Sequence, residues 1–84
     1  MQQSAFSEMA ARWPSSVLAR EKVDVFTGGG ITPHYMANLD SKGLGPENRF
    51  RCGRKVFYPV VDFVRWLSER TQPIPKKAPR DLEV

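Results

Sequence analysis

Arg49, Arg51, Arg54 and Lys55 crowd one short stretch of the chain, with Lys42 just upstream, and the single acid among them is Glu47. Cations at this density repel one another in a folded chain unless an anion offsets them. The chemistry they suit is holding phosphate oxygens rather than making or breaking bonds. In Arg49-Phe50-Arg51-Cys52 charge alternates with apolar side chains, so one side can rest on a core while the guanidiniums face outward, to phosphate or into a minor groove. A merely solvated charged hairpin is the plainer alternative. A second set, Thr32, His34, Tyr35, Asn38 and Lys42, falls at helical spacing a little earlier. Asparagine can pair with adenine through two hydrogen bonds, and the amides at the start of such a helix are further phosphate donors. For His34 the plainer alternative is an ordinary polar surface residue.

Catalysis has little to work with. There is one histidine and one cysteine, no GxxxxGK[ST] loop, and no carboxylate pair flanked by pocket-forming segments. No enzyme, no cofactor and no metal site is expected, and no small-molecule substrate. The lone Cys52 precludes a disulfide within the chain and any cysteine-rich zinc site, and it reads as an inward-facing hairpin residue.

The chain has 84 residues, enough for one domain with a modest core. Hydrophobic residues make up 40% and charged residues 26%, a balance that folds. Thirteen basic residues against nine acids give a formal charge of +4, which favours a polyanionic partner. No apolar stretch near the amino terminus resembles a signal peptide or a membrane span, so a reducing cytoplasm is the expected location and no membrane is expected as a partner.

The elements that must position the cations can be read in order. Residues 1–13 form an amino-terminal arm in which a short helix from about Ser7 puts Met9, Ala10 and Trp13 on one face before Pro14 stops it. Val17 and Leu18 lead into a short helix over Arg20 to Phe26, with Val23 and Phe26 inward and Gly28-Gly29-Gly30 ending it. Ala19 stands where a Ser or Thr cap would begin that helix, which predicts a ragged start. Thr32 then caps a second helix with Pro33 at its first position, Met36 and Leu39 inward, and an end near Ser41 or Lys42 before Gly43. Two short strands follow across Gly53-Arg54, with Phe50, Cys52, Val56 and Tyr58 expected on one face and Phe57 on the other. Pro59 opens a last helix, running to about Arg70, whose Val60, Val61, Phe63, Val64, Trp66 and Leu67 form the main core surface. Pro73, Pro75 and Pro79 mark residues 73–84 as a tail expected to lack fixed structure. The fold class expected is mostly α with a small β-hairpin. It is the order of a winged helix-turn-helix over residues 14–72: short helix, turn, recognition helix, two-stranded wing, core helix.

Thr27 to Pro46, TGGGITPHYMANLDSKGLGP, followed by RFRCGRKVFYPVVDFVRWL from Arg49 to Leu67, resembles the excisionase and AlpA-like regulators, minimal relatives of the MerR-like winged-helix proteins. The likeness covers roughly Val17 to Arg70. It rests on Ile31-Thr32-Pro33, the Gly43-x-Gly45-Pro46 turn, the basic Gly53-Arg54-Lys55 hairpin and Tyr58-Pro59 ahead of a Trp66-Leu67 helix. It implies a bacterial or phage protein that binds double-stranded DNA and regulates transcription or directs excision of mobile elements. On DNA its partners would be a second copy of itself or an integrase or recombinase. His34 and Tyr35 depart from the basic residue and hydroxyl side chain common early in that family's recognition helix, and Leu39 replaces a frequent aromatic with a smaller core side chain. The competing expectation is a protein-interaction adaptor that uses the helical apolar surface, the basic hairpin being incidental.

Overall fold

Tyr58 shows how the fold is assembled. It sits on a strand flanked on both sides, and its ring is fully buried. The computed structural model describes residues 2–72 and Ile74. The elements in chain order are α1 (Gln2–Arg12), β1 (Val17–Ala19), a 3-10 turn (Arg20–Lys22), α2 (Val23–Phe26), α3 (Pro33–Ser41), β2 (Phe50–Cys52), β3 (Lys55–Pro59) and α4 (Val60–Glu69). The strands form one antiparallel sheet in the order β1-β3-β2. The coarse expectation of helices with a small hairpin therefore holds, but the sheet has three strands rather than two. Val17, Leu18 and Ala19 extend to pair with Pro59, Tyr58 and Phe57, and Val60 N–H donates to Ser16 C=O to continue the seam.

Local signals account for most boundaries. Ala19 supplies no capping side chain, and the segment after it winds first as a 3-10 turn and then as a single α-turn, which buries Val23 and Phe26. Gly28 and Gly29 hold φ of +66° and +90°, a backbone that costs little only without a Cβ, and stop α2. The Thr27 hydroxyl ties this loop together, donating to Val23 C=O and accepting from Ile31 N–H. Thr32 caps α3 by accepting from Tyr35 N–H at 3.1 Å, Pro33 takes the first turn, and Met36 and Leu39 are buried.

The core lies between the inner face of the sheet and the helices: Leu18, Val23, Phe26, Met36, Val56, Tyr58, Val60 and Phe63. Phe63 is its centre, with the rings of Phe26, Tyr58 and Trp66 at 5.5 to 5.6 Å. Burial of each such side chain is worth about 1.5 to 3 kcal/mol, which is how so small a chain holds together. The amino-terminal helix begins at Gln2, earlier than Ser7, and Met9, Ala10 and Trp13 do pack against the core. Trp13 meets Phe26 edge-on at 5.2 Å and donates its indole N–H to Val17 C=O. Apart from Ile74, the tail expected over residues 73–84 lies outside the described residues. Among the described residues no helix is long and apolar enough to cross a membrane.

The hairpin corrects the face assignment. Its two-residue turn at Gly53-Arg54 pairs Cys52 with Lys55, Arg51 with Val56 and Phe50 with Phe57. Partners directly opposite share a face, so Phe50 and Cys52 lie with Lys55 and Phe57, away from Val56 and Tyr58. Cys52 is exposed rather than inward. Phe50 is 44% exposed and stacks on the half-buried Phe57, ring centroids 5.6 Å apart.

Candidate functional site

α3 is nine residues long and turns two of them, Met36 and Leu39, into the core. Its outward side carries His34, Asn38 and Lys42, spaced four apart and all exposed, with Lys42 closing the helix as its C-cap. Among the described residues none of these three side chains is engaged in a hydrogen bond or ion pair, so they are available to a ligand. Thr32 is occupied as the cap. Tyr35 is exposed, but its hydroxyl accepts from the Arg70 guanidinium at 3.3 Å, and Arg70 in turn lies 5.1 Å over the Trp66 ring. Tyr35 is therefore shared between the outward face of α3 and the end of α4.

The hairpin cations divide into two kinds. Arg51 and Arg54 are exposed and have no acidic partner among the described residues. Lys55 meets Glu21 of the 3-10 turn at 2.9 Å, an exposed pair of little energetic weight. Arg49 does not face outward as expected. Its guanidinium donates to Pro46 C=O at 2.8 Å and Asp40 C=O at 3.4 Å, and its Nε lies 3.6 Å from Asp40 Oδ1. The register sets Arg51 opposite Val56, so the alternation carries Arg49 and Arg51 to the inner side of the hairpin, and Arg49, just ahead of β2, turns to the carboxylate and two carbonyls there.

Asp40 is the feature that the sequence pattern did not reveal. Its side chain is only 6% exposed, and its Oδ2 accepts from Arg20 Nη2 at 2.7 Å and from the Tyr58 hydroxyl at 2.6 Å. Arg20 Nε also donates to the Tyr58 oxygen at 3.2 Å. Burial, reinforced by the hydrogen bond to Asp40, pushes the Tyr58 phenol up to about 12. Burial works against the charge on Arg20, yet its bonds to Tyr58 and Asp40 prevail and raise its pKa above the ordinary value. A signal was present in the sequence. Asp40 follows Met36 by four residues, which places an ionisable group on the buried side of a short helix, where it needs cationic partners.

One groove runs between α3 and the hairpin; of the candidate residues Arg49 and Arg51 line it, while His34, Asn38, Lys42 and Arg54 do not. Ala37, Asp40 and Ser41 of α3 face Arg49, Phe50, Arg51 and Val56 of the hairpin, with Arg20 at the base. The acid in this groove is already neutralised by Arg20 and Arg49, so what remains open to solvent is cationic, with polar α3 side chains beside it. Such a surface can hold an anionic polymer through Arg51, while Arg54 is exposed at the hairpin turn and an amide, an imidazole and an ammonium are exposed on the outward side of α3. Among the described residues no three His, Cys, Asp or Glu side chains gather as a metal site. No family model, no curated protein and no solved structure matches the chain.

Proposed function

We propose that the chain binds double-stranded DNA in the manner of a small winged helix-turn-helix regulator, with no catalytic step. α3 lies in the major groove and presents His34, Asn38 and Lys42 to base edges and flanking phosphates. The hairpin sets Arg51 and Arg54 on the sugar-phosphate backbone or in the adjacent minor groove. The observation that carries this reading is the asymmetry of charge between α3 and the hairpin: Asp40 is engaged by Arg20 and Arg49, while Arg51 in the groove and Arg54 at the exposed hairpin turn are left without acidic partners among the described residues. The likeness of Thr27 to Pro46 and Arg49 to Leu67 to excisionase and AlpA-like regulators supports the same reading. It adds a bacterial or phage setting, with transcription control or element excision as the output.

The test is a titration of a labelled random-sequence duplex with the full chain at rising salt. Each phosphate neutralised releases condensed counterions, so log K should fall linearly with log salt, by about 0.9 per phosphate contacted. No binding at low salt, or an affinity indifferent to salt, overturns the proposal. A second reading, a protein adaptor, draws on Val61, 67% exposed on α4 beside Phe6, Ala10 and Val64. It predicts self-association or partner binding that survives high salt and is lost in Val61→Glu, with duplex binding unchanged.

A further inference from the structure

Four segments converge on the Asp40 carboxylate, two of them about twenty residues away in the chain. Arg20 comes from the 3-10 turn, Tyr58 from β3 and Arg49 from the residue ahead of β2, while Gly45 lies so close that a Cβ there would collide with Asp40 Oδ1. Both strands of the hairpin are thus tied to one side chain of α3, β3 through a phenol and β2 through the guanidinium at its root. We propose that Asp40 is a positioning residue for DNA recognition: it fixes the hairpin against α3, so that Arg51 and Arg54 meet the backbone at the spacing that the α3 side chains require. This rests on the DNA-binding reading above.

Stability alone is a poor account of such a hub. A carboxylate taken out of water beside two guanidiniums recovers its desolvation cost only with good geometry, and an apolar side chain of similar size would fill the space at least as well. Asp40 Oδ1 is buried and accepts no hydrogen bond among the described residues, a further cost. What the hub supplies that apolar packing does not is direction. Its short bonds from Tyr58 and Arg20 define where β3 and the 3-10 turn sit relative to the helix, and its 3.6 Å ion pair with Arg49 reaches the root of β2. It also assigns Arg49 a different role from Arg51. Only Phe50 stands between them, but Arg49 is a strut and Arg51 a ligand.

Asp40→Asn keeps the size of the side chain and removes its charge. Two readouts on the full chain separate positioning from mere support. In the native protein, residual dipolar couplings of α3 and β2–β3 amides should fit one alignment tensor. In Asp40→Asn the hairpin should require its own, with reduced order. On the duplex that native protein enriches from a random library, measured against a scrambled duplex, discrimination should fall roughly tenfold, as it would if one side chain no longer reached its base edge. The salt dependence should steepen instead, because Arg20 and Arg49 are released to phosphate. A uniform loss on both duplexes, or one shared tensor with full discrimination, overturns the proposal, as does a loosened hairpin that leaves discrimination intact. Should Asp40→Asn fail to fold, Tyr58→Phe removes one donor and keeps the buried ring, and the same two shifts are expected at smaller size. If native protein binds no duplex at all, the function reading falls, while the dipolar couplings still decide whether Asp40 orients the hairpin.

Discussion

α4 and the hairpin's second strand are continuous through Pro59, yet opposite means hold the two ends of this segment. On the α4 side, Phe63 is enclosed by three aromatic rings and Val60 is buried in the same cluster, an arrangement whose strength depends on area and little on direction. On the hairpin side, β2 has no buried residue, and its place is defined by Arg49 and by the pairing with β3. Apolar burial makes the chain compact, and a handful of directed polar bonds makes a particular surface of it. Damage to the first should therefore appear as lost stability, and damage to the second as lost recognition by a protein that stays folded.

The largest effect expected on the stability side is that of Phe63→Ala, which should cost about 3 to 5 kcal/mol in urea unfolding, whereas Arg51→Ala and Arg54→Ala should stay within about 0.5 kcal/mol of native. A comparable loss from either arginine would erase the distinction. Next comes alkaline pH. Tyr58 has its phenol pushed from the ordinary 10 to about 12 in the folded chain, so its contribution is fully present below pH 10 and is lost as pH rises towards 12. The loss is on the order of 2 kcal/mol and is absent in Tyr58→Phe, as denaturant unfolding across that range would record. Smaller again is a division within the proposed DNA-binding surface. Asn38→Ala should lower preference for the selected duplex by about 1 to 3 kcal/mol, while Arg51→Ala or Arg54→Ala should weaken all duplexes alike and reduce the salt slope by about 1. Full discrimination in Asn38→Ala, with none in the arginine variants, would move recognition from α3 to the hairpin. Glu21→Gln should change least. The Lys55 pair is exposed, so stability should shift by less than about 0.5 kcal/mol in thermal unfolding, with low-salt duplex affinity slightly up as Lys55 is released. A marked loss of stability would make that pair a second strut.

Much of this was legible in the sequence where a local cause acts alone. Thr32-Pro33 starts α3, Gly43 ends it, Met36 and Leu39 face inward, and Phe63 lies in the core because a helical period and a cap need no remote partner to be recognised. β1 was not legible. Three residues are too few to show alternation, and Val17 to Ala19 are extended because β3 pairs with them from far along the chain. The faces of the hairpin were derivable but misassigned: a two-residue turn pairs even positions with odd ones, which sends Phe50 and Cys52 to the side of Phe57. Within the candidate site, Arg51 borders the groove and His34, Asn38 and Arg54 are open to solvent on the helix and hairpin, whereas Arg49 was drawn inward by an acid whose importance comes from tertiary proximity.

β2 has a neighbour on one side only, so along its outer margin alternate backbone N–H and C=O groups turn towards solvent beside an exposed phenylalanine. An unguarded margin of this kind recruits strands from other molecules. Brevity and like charge are what keep it single, and here the charge is that of Arg51. The guanidinium that would grip a phosphate also disfavours edge-to-edge pairing between copies of the protein. Neutralising it should lower solubility even though the fold is untouched.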